Sequence, residues 1–323
     1  MPPTAVHHAP QPVRPTLYAA LALAAQDIKL SHTVFALPFA ILAAVLARPE
    51  GDSAGRFTLQ LALVLVCMTL ARTWAMLFNR IADHRLDAAN PRTERRAIAS
   101  GALPVGTATV IALSSAGLFW LAAGAFWPLL DNPWPALLAP LALAWVAFYS
   151  LTKRFTALCH LVLGIALALS PLCAAIAVAP SSVGLAAAPD FFTSPTAPAL
   201  YLIALMVALW VGGFDIIYAL QDLDYDRTAG LRSIPARLGW TGAVRASRVL
   251  HAAAVAALAV AGGLEPRFGV LYALAVAVVA ALLITEHIVL ARRGRAGLQA
   301  AFFTLNGIVS LVFAALAILD LLA

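Results

Sequence analysis

The chain has 323 residues, of which 63% are hydrophobic and only 11% charged; soluble domains run at about 45–50% and about 25%, so a water-soluble globular enzyme is excluded. The apolar residues lie in long unbroken blocks rather than in short alternating segments, which excludes a β-barrel. The net charge of +6 sits mostly in loops and carries no base-reading module, so it gives no sign of a nucleic-acid partner.

The start, MPPTAVHHAPQPVRPT, is rich in Pro and His. It shows no cleavable signal and is expected to be a disordered tail over 1–16, followed by a single domain over 17–323. Blocks of about 20 apolar residues are long enough to cross a bilayer as helices. They recur at 29–48, 57–79, 103–125, 134–151, 156–179, 197–220, 242–263, 268–291 and 297–321. The fold class expected is all-α: a polytopic membrane protein with nine transmembrane helices. Pro38, Pro140 and Pro171 fall inside spans and are expected to kink them. Cys67, Cys159 and Cys173 lie in apolar spans without metal-ligand spacing and read as buried free thiols.

Lys and Arg orient the bundle. With a cytoplasmic N-terminus, the cytoplasmic loops hold Arg80, Arg85, Arg92, Arg95 and Arg96, then Lys153 and Arg154, then Arg227, Arg232 and Arg237, and finally Arg292, Arg293 and Arg295. The opposite loops hold only Arg48, Arg56 and Arg267. The expected location is the cell (inner) membrane, multi-pass, with the C-terminus outside.

Two polar segments interrupt this pattern on the cytoplasmic side. In NRIADHRLDAANPRTERR, Asn79, Asp83 and Asp87 recur every four residues, which puts them on one helix face. An amide and two carboxylates in a row repel unless something positive sits among them. Mg²⁺, a hard cation taking one or two carboxylates with water and substrate phosphates, suits such a set, and the trailing arginines suit phosphate. A solvated polar loop is the bland reading of this segment alone. The second segment, DIIYALQDLDYDRTAGLRS, changes the balance. Asp222 and Asp226 are again four apart, with Asp215 and Tyr218 on the same face and Arg227 and Arg232 following. Two such pairs at equivalent ends of two spans point to two clusters gripping one diphosphate.

These segments carry a resemblance. NRIADHRLDAANPRT resembles the first aspartate-rich signature of the UbiA superfamily of intramembrane aromatic prenyltransferases, and YALQDLDYDRTAGLRSIPARLG resembles the second. YSLTKRFT at 149–156 resembles the family's short loop after the fourth helix, and IKLSHTVFALPFA at 28–40 its first helix. The resemblance covers about residues 25–320. It implies transfer of a prenyl chain from a polyprenyl diphosphate to a ring carbon of an aromatic acid. Mg²⁺ would be held by Asn79, Asp83 and Asp87 on one side and by Asp222 and Asp226 on the other. It also implies diphosphate contacts from Lys153, Arg154, Arg92 and Arg232. Many members carry an Arg directly after the first motif aspartate; here His84 stands there and Arg85 follows, so either is a candidate for phosphate. Tyr149 and Tyr218 are candidates to face the allylic cation, and Asp215 to accept the ring proton.

Arg72 lies inside the second span, seven residues before Asn79. An intramembrane Arg is costly unless it meets a cavity or a partner; it reads either as the ligand of an acceptor carboxylate or as an ion pair with an acid such as Asp215. His32 and His160 read as interfacial residues, Asn306 as an interhelical hydrogen bonder, and Glu286 and His287 as structural. The loops 90–104 and 231–240 are expected to close over the site and exclude water. The expected acceptor is 4-hydroxybenzoate, for ubiquinone synthesis, with a dihydroxynaphthoate, for menaquinone, left open. A cation-coupled transporter is the reading of a different class, but its site would lie near the midplane in broken helices. A diphosphatase would need a positioned nucleophile that the sequence lacks. Oligomeric state and prenyl chain length leave no sequence signal.

Overall fold

The computed structural model describes residues 15–28, 35–185 and 196–323. Most of the expected tail, His32 and part of the outer loop 180–196 lie outside the described residues. No strand occurs among the residues described. In chain order the helices are α1 (Leu17–Asp27), α2 (Leu37–Ala47), α3 (Ala54–Ala89), α4 (Val105–Gly124), α5 (Phe126–Leu130), α6 (Trp134–Thr152), α7 (Cys159–Val178), α8 (Thr196–Ala219), α9 (Leu223–Thr228), α10 (Ile234–Leu264), α11 (Val270–Arg293) and α12 (Asn306–Leu322).

Among the described residues, eight helices are long and apolar enough to cross a membrane. The ninth expected span, 29–48, is represented by the shorter apolar α2; residues 29–34 lie outside the described residues. The chain is a polytopic membrane protein. Its exposed surface carries large apolar side chains such as Leu121, Leu137, Leu141, Ile284 and Leu319, as a lipid-facing bundle requires.

The most buried span is α8. It packs along α10 and α7, and Trp210 and Phe214 on it meet Phe35, Phe39 and Phe302 in a cluster of edge and tilted ring contacts. The α7–α8 approach is close because Gly164 faces Ala208: a Cβ there would sit 2.1 Å from the Ala208 carbonyl oxygen. Asn306 forms the expected interhelical bonds, accepting from Trp210 Nε1 at 2.5 Å and donating to Glu286 Oε2 at 3.0 Å.

Three local features differ from expectation. Pro38 stands in the first turn of α2, where its missing N–H costs nothing, so it does not kink an interior; Pro140 and Pro171 do lie inside α6 and α7. The cysteines are free, but Cys67 and Cys159 are half-buried and Cys173 is exposed, because all three border a large cavity. α1, an unforeseen short helix, packs its Ala20 and Ala24 near Leu77 and Leu103.

Candidate active site

The 36-residue α3 delivers the first motif. Ser53 caps its start by accepting from the Arg56 N–H, and its last turns carry Asn79, Asp83 and Asp87. The helix stops at Asn90, whose backbone is extended (φ −99°, ψ 118°), because Pro91 disfavours the helical region for the residue before it. The chain then folds back, returning Arg92 and Arg96 toward the acids.

The second motif is not one straight helix. α8 tightens into a 3₁₀ turn over Leu220–Asp222 and restarts as α9. Asp222 thus sits at the junction, and Asp226 on α9. Tyr225 ties the motifs together by donating to the Leu86 carbonyl at 2.8 Å.

Each acid has a partner. Asp83 is 2% exposed and pairs with Lys153 Nζ at 2.6 Å and Arg154 Nη2 at 3.1 Å. Both oxygens of Asp87 accept from Arg96 Nη1, at 2.8 and 2.9 Å. Asp222 accepts from Arg92 Nε at 2.7 Å, from Arg92 Nη2, and from Asn90 Nδ2 at 3.0 Å. Arg92 also donates to the Tyr218 hydroxyl at 3.2 Å and lies over its ring. Burial works against the Arg92 charge, but its bonds to Asp222 and Tyr218 outweigh that and hold its pKa above the ordinary value. Asp226 accepts from Ser233 Oγ at 2.9 Å. Asp215 pairs with His160 Nδ1 at 2.7 Å. The Ile234 N–H donates to His160 Nε2, so the Nδ1 nitrogen carries the proton and donates to Asp215.

These groups line one end of a cavity of about 490 Å³. Asn79, Asp83, Asp87, Asp222, Asp226, Lys153 and Arg92 all border it, as do Arg72, Tyr149, Asp215 and Tyr218. Most of its remaining wall is apolar, built from residues such as Met68, Leu138, Leu143 and Leu167. The expected residues that stand outside it are also clear. Arg85 is exposed and borders no part of the cavity, because two residues beyond Asp83 a helix has turned to another face. His84 binds the Ile81 carbonyl of its own helix at 2.8 Å. Arg154 reaches Asp83 from the rim. Arg232 is a staple: its side chain donates to the Phe155 carbonyl at 2.8 Å, and its N–H to the Lys153 carbonyl at 2.7 Å.

Loops 90–104 and 231–240 lie against the site, contributing Asn90, Arg92, Arg96, Leu231 and Ser233 to the cavity. Arg96, Arg80 and His160, which nothing in the sequence assigns to the site, border the cavity as well. Arg80 is 8% exposed, borders the cavity and donates to Asn79 Oδ1 at 3.0 Å; it and Arg96 were absorbed by the charge count that oriented the loops. His160 gave no signal, since its partner lies 55 residues away.

Asn79, Asp83, Asp87, Asp222 and Asp226 offer hard oxygen donors, yet among the described residues no three His, Cys, Asp or Glu gather tightly enough to enclose a metal. Mg²⁺ is an ion that takes one or two protein carboxylates and leaves its other positions to water and substrate oxygens.

Comparison with known proteins agrees with this architecture. Residues 36–308 match the model of the UbiA prenyltransferase family. A 4-hydroxybenzoate octaprenyltransferase from Nitrosomonas europaea is 30% identical over 246 residues, covering 76% of this chain and 77% of that protein. The apo structure of a UbiA homolog from Aeropyrum pernix superposes with a TM-score of 0.75 at 32% identity, covering 90% of this chain and 98% of that one. A UbiA homolog from Archaeoglobus fulgidus, solved bound to GPP and Mg²⁺, shares the fold with a TM-score of 0.65 at 19% identity, covering 93% of this chain and all of that one. With a family match across most of its length and both acidic motifs facing one cavity, this chain belongs to the UbiA prenyltransferase family.

Proposed function

We propose that the protein transfers the prenyl group of a polyprenyl diphosphate to a ring carbon of an aromatic acid, with 4-hydroxybenzoate as acceptor, in quinone biosynthesis. The observation that carries the reading is one cavity with a charged end and an apolar remainder, a shape matched to a diphosphate on an isoprenoid tail. The acceptor is taken from the Nitrosomonas relative and from Arg72, a cation among apolar cavity residues that suits a carboxylate. By the distribution of Lys and Arg, the charged end faces the cytoplasm.

In this reading Asn79, Asp83 and Asp87, with Asp222 and Asp226 opposite, hold Mg²⁺, which neutralises charge on the diphosphate when bound. Lys153 and Arg92 add positive charge at the same end. Heterolysis of the allylic C–O bond sends its electron pair to the diphosphate and leaves a cation beside the rings of Tyr149 and Tyr218. A ring carbon of the acceptor forms the new C–C bond, and the displaced ring proton goes to Asp215. Loops 90–104 and 231–240 keep water from the cation.

The test is prenyl transfer by purified protein in lipid or detergent. A polyprenyl diphosphate and Mg²⁺ are supplied with 4-hydroxybenzoate or a dihydroxynaphthoate in parallel. The expected product is prenylated 4-hydroxybenzoate, abolished by EDTA and reduced at least about 100-fold in Asp83→Ala and Asp222→Ala. Preference for the naphthoate would overturn the acceptor. Turnover indifferent to both substitutions would overturn the two-cluster mechanism.

A further inference from the structure

A second hollow, of about 270 Å³, lies between α10 and α11 and shares no lining residue with the main cavity. Trp240, Thr241, Arg245, Arg248 and Leu290 border it. Thr241, Arg245 and Arg248 are spaced four and three apart, so they share one face of α10. Among the described residues neither arginine has an ion pair or a hydrogen bond. This contrasts with the active-site arginines, which are all engaged.

The depth of the hollow follows from helix length. α10 (Ile234–Leu264) breaks at Gly239, whose φ is 68°, and its straight part, 240–264, rises about 37 Å at 1.5 Å per residue, beyond the ~30 Å hydrocarbon layer. Its start is held at the acidic-motif face by Ser233 on Asp226 and by Arg227 on the Ala236 carbonyl. Residues 249–264 contain no Lys, Arg, Asp or Glu and span about 24 Å of that layer. Arg245 and Arg248, just beyond that stretch, therefore stand at its headgroup edge, where long Arg side chains reach the interface and a Trp such as Trp240 is favoured. The neighbouring end of α11 adds exposed Arg292 and Arg293. Lipid-facing Leu238, Val249 and Ile288 are exposed around it.

We propose that this hollow binds the phosphodiester headgroup of an anionic phospholipid. Arg245 and Arg248 hold the phosphate, Thr241 supplies a hydroxyl, and the acyl chains lie along the exposed apolar side chains. Unpaired guanidinium groups at headgroup depth between two spans have the chemistry that selects anionic lipid. The inference does not depend on the reaction proposed above.

The test is native mass spectrometry of the purified full chain, titrated with phosphatidylglycerol or phosphatidylcholine. The wild type is expected to favour phosphatidylglycerol by at least about ten-fold, with that preference lost in R245Q/R248Q and reduced about three-fold or more in each single variant. A charge-matched control, R95Q/R237Q, should keep the preference. Millimolar inorganic phosphate should leave the lipid bound. An unchanged preference in R245Q/R248Q, or an equal loss in R95Q/R237Q, overturns the site in favour of diffuse surface charge. Displacement by phosphate alone overturns the lipid as the ligand. The single variants keep the test decisive if the double variant unfolds on heating in phosphatidylcholine.

Discussion

Asp215 lies on α8 ahead of the second motif, bonded to a ring nitrogen of His160. It pairs with His160 rather than with Arg or Lys and borders the cavity beside Tyr218. Asp215→Asn is expected to lower kcat about 100-fold while polyprenyl diphosphate affinity stays within about three-fold. An equal loss of diphosphate binding, measured by fluorescence competition, would make it a diphosphate-site residue instead. At the opposite face Glu265 is 1% exposed and accepts from Arg267 Nε at 2.8 Å and from Thr196 Oγ1 at 3.0 Å. Burial raises its pKa, but the Arg267 and Thr196 bonds outweigh burial and hold it below the ordinary value. A depressed carboxyl pKa contributes stability above the unfolded value, about 4.3, which is lost as pH falls through the lower folded value. Glu265→Gln should therefore cost about 2 kcal/mol at neutral pH. In unfolding scans across pH, the gap to wild type should close below about pH 4.

At the scale of elements, helix contact is set by what is small. Gly164 on α7 faces backbone on α8, so Gly164→Ala must push the two most central helices apart or bend one of them. The expected loss is about 1–3 kcal/mol, read as a lower unfolding temperature. Gly117 on α4 has nothing within 4 Å of an added Cβ, and Gly117→Ala should be neutral or stabilising by up to about 1 kcal/mol. The two substitutions have the same chemistry, so a matching response would show that close approach is not what Gly164 provides. Such positions were not legible beforehand: both glycines lie in apolar helices, and only the neighbour's backbone separates them. The helix stop at Asn90 was different, since Asn-Pro announces it locally.

For the molecule as a whole, the lipid-facing surface and the grouping of charge at one end agree with a bundle whose acidic motifs meet at one membrane face. If that face is cytoplasmic, Glu94→Cys in a background lacking Cys67, Cys159 and Cys173 should react with an impermeant maleimide in inverted vesicles and not in intact cells. The reverse pattern would invert the topology. The two motifs lie about 130 residues apart in sequence, yet Arg92 and Asn90 both bond Asp222 across that separation. The charged end of the cavity is thus assembled by the bundle and not by either span.

Hydropathy determined that the chain is a polytopic helical membrane protein, because burying backbone in lipid leaves long apolar helices as the available solution. Spacing of four put Asn79, Asp83 and Asp87 on one face, because helical periodicity is a local property. What only the tertiary structure decided is which charges meet. Arg85 and Arg96 look alike in sequence, but one faces outward and the other grips Asp87. His160 looked like an interfacial residue, but it holds Asp215. Arg80 looked like a topology signal, but it borders the cavity. The physical reason is that a side chain's partner depends on helix rotation and on the crossing of distant helices, and neither is written in the residues beside it.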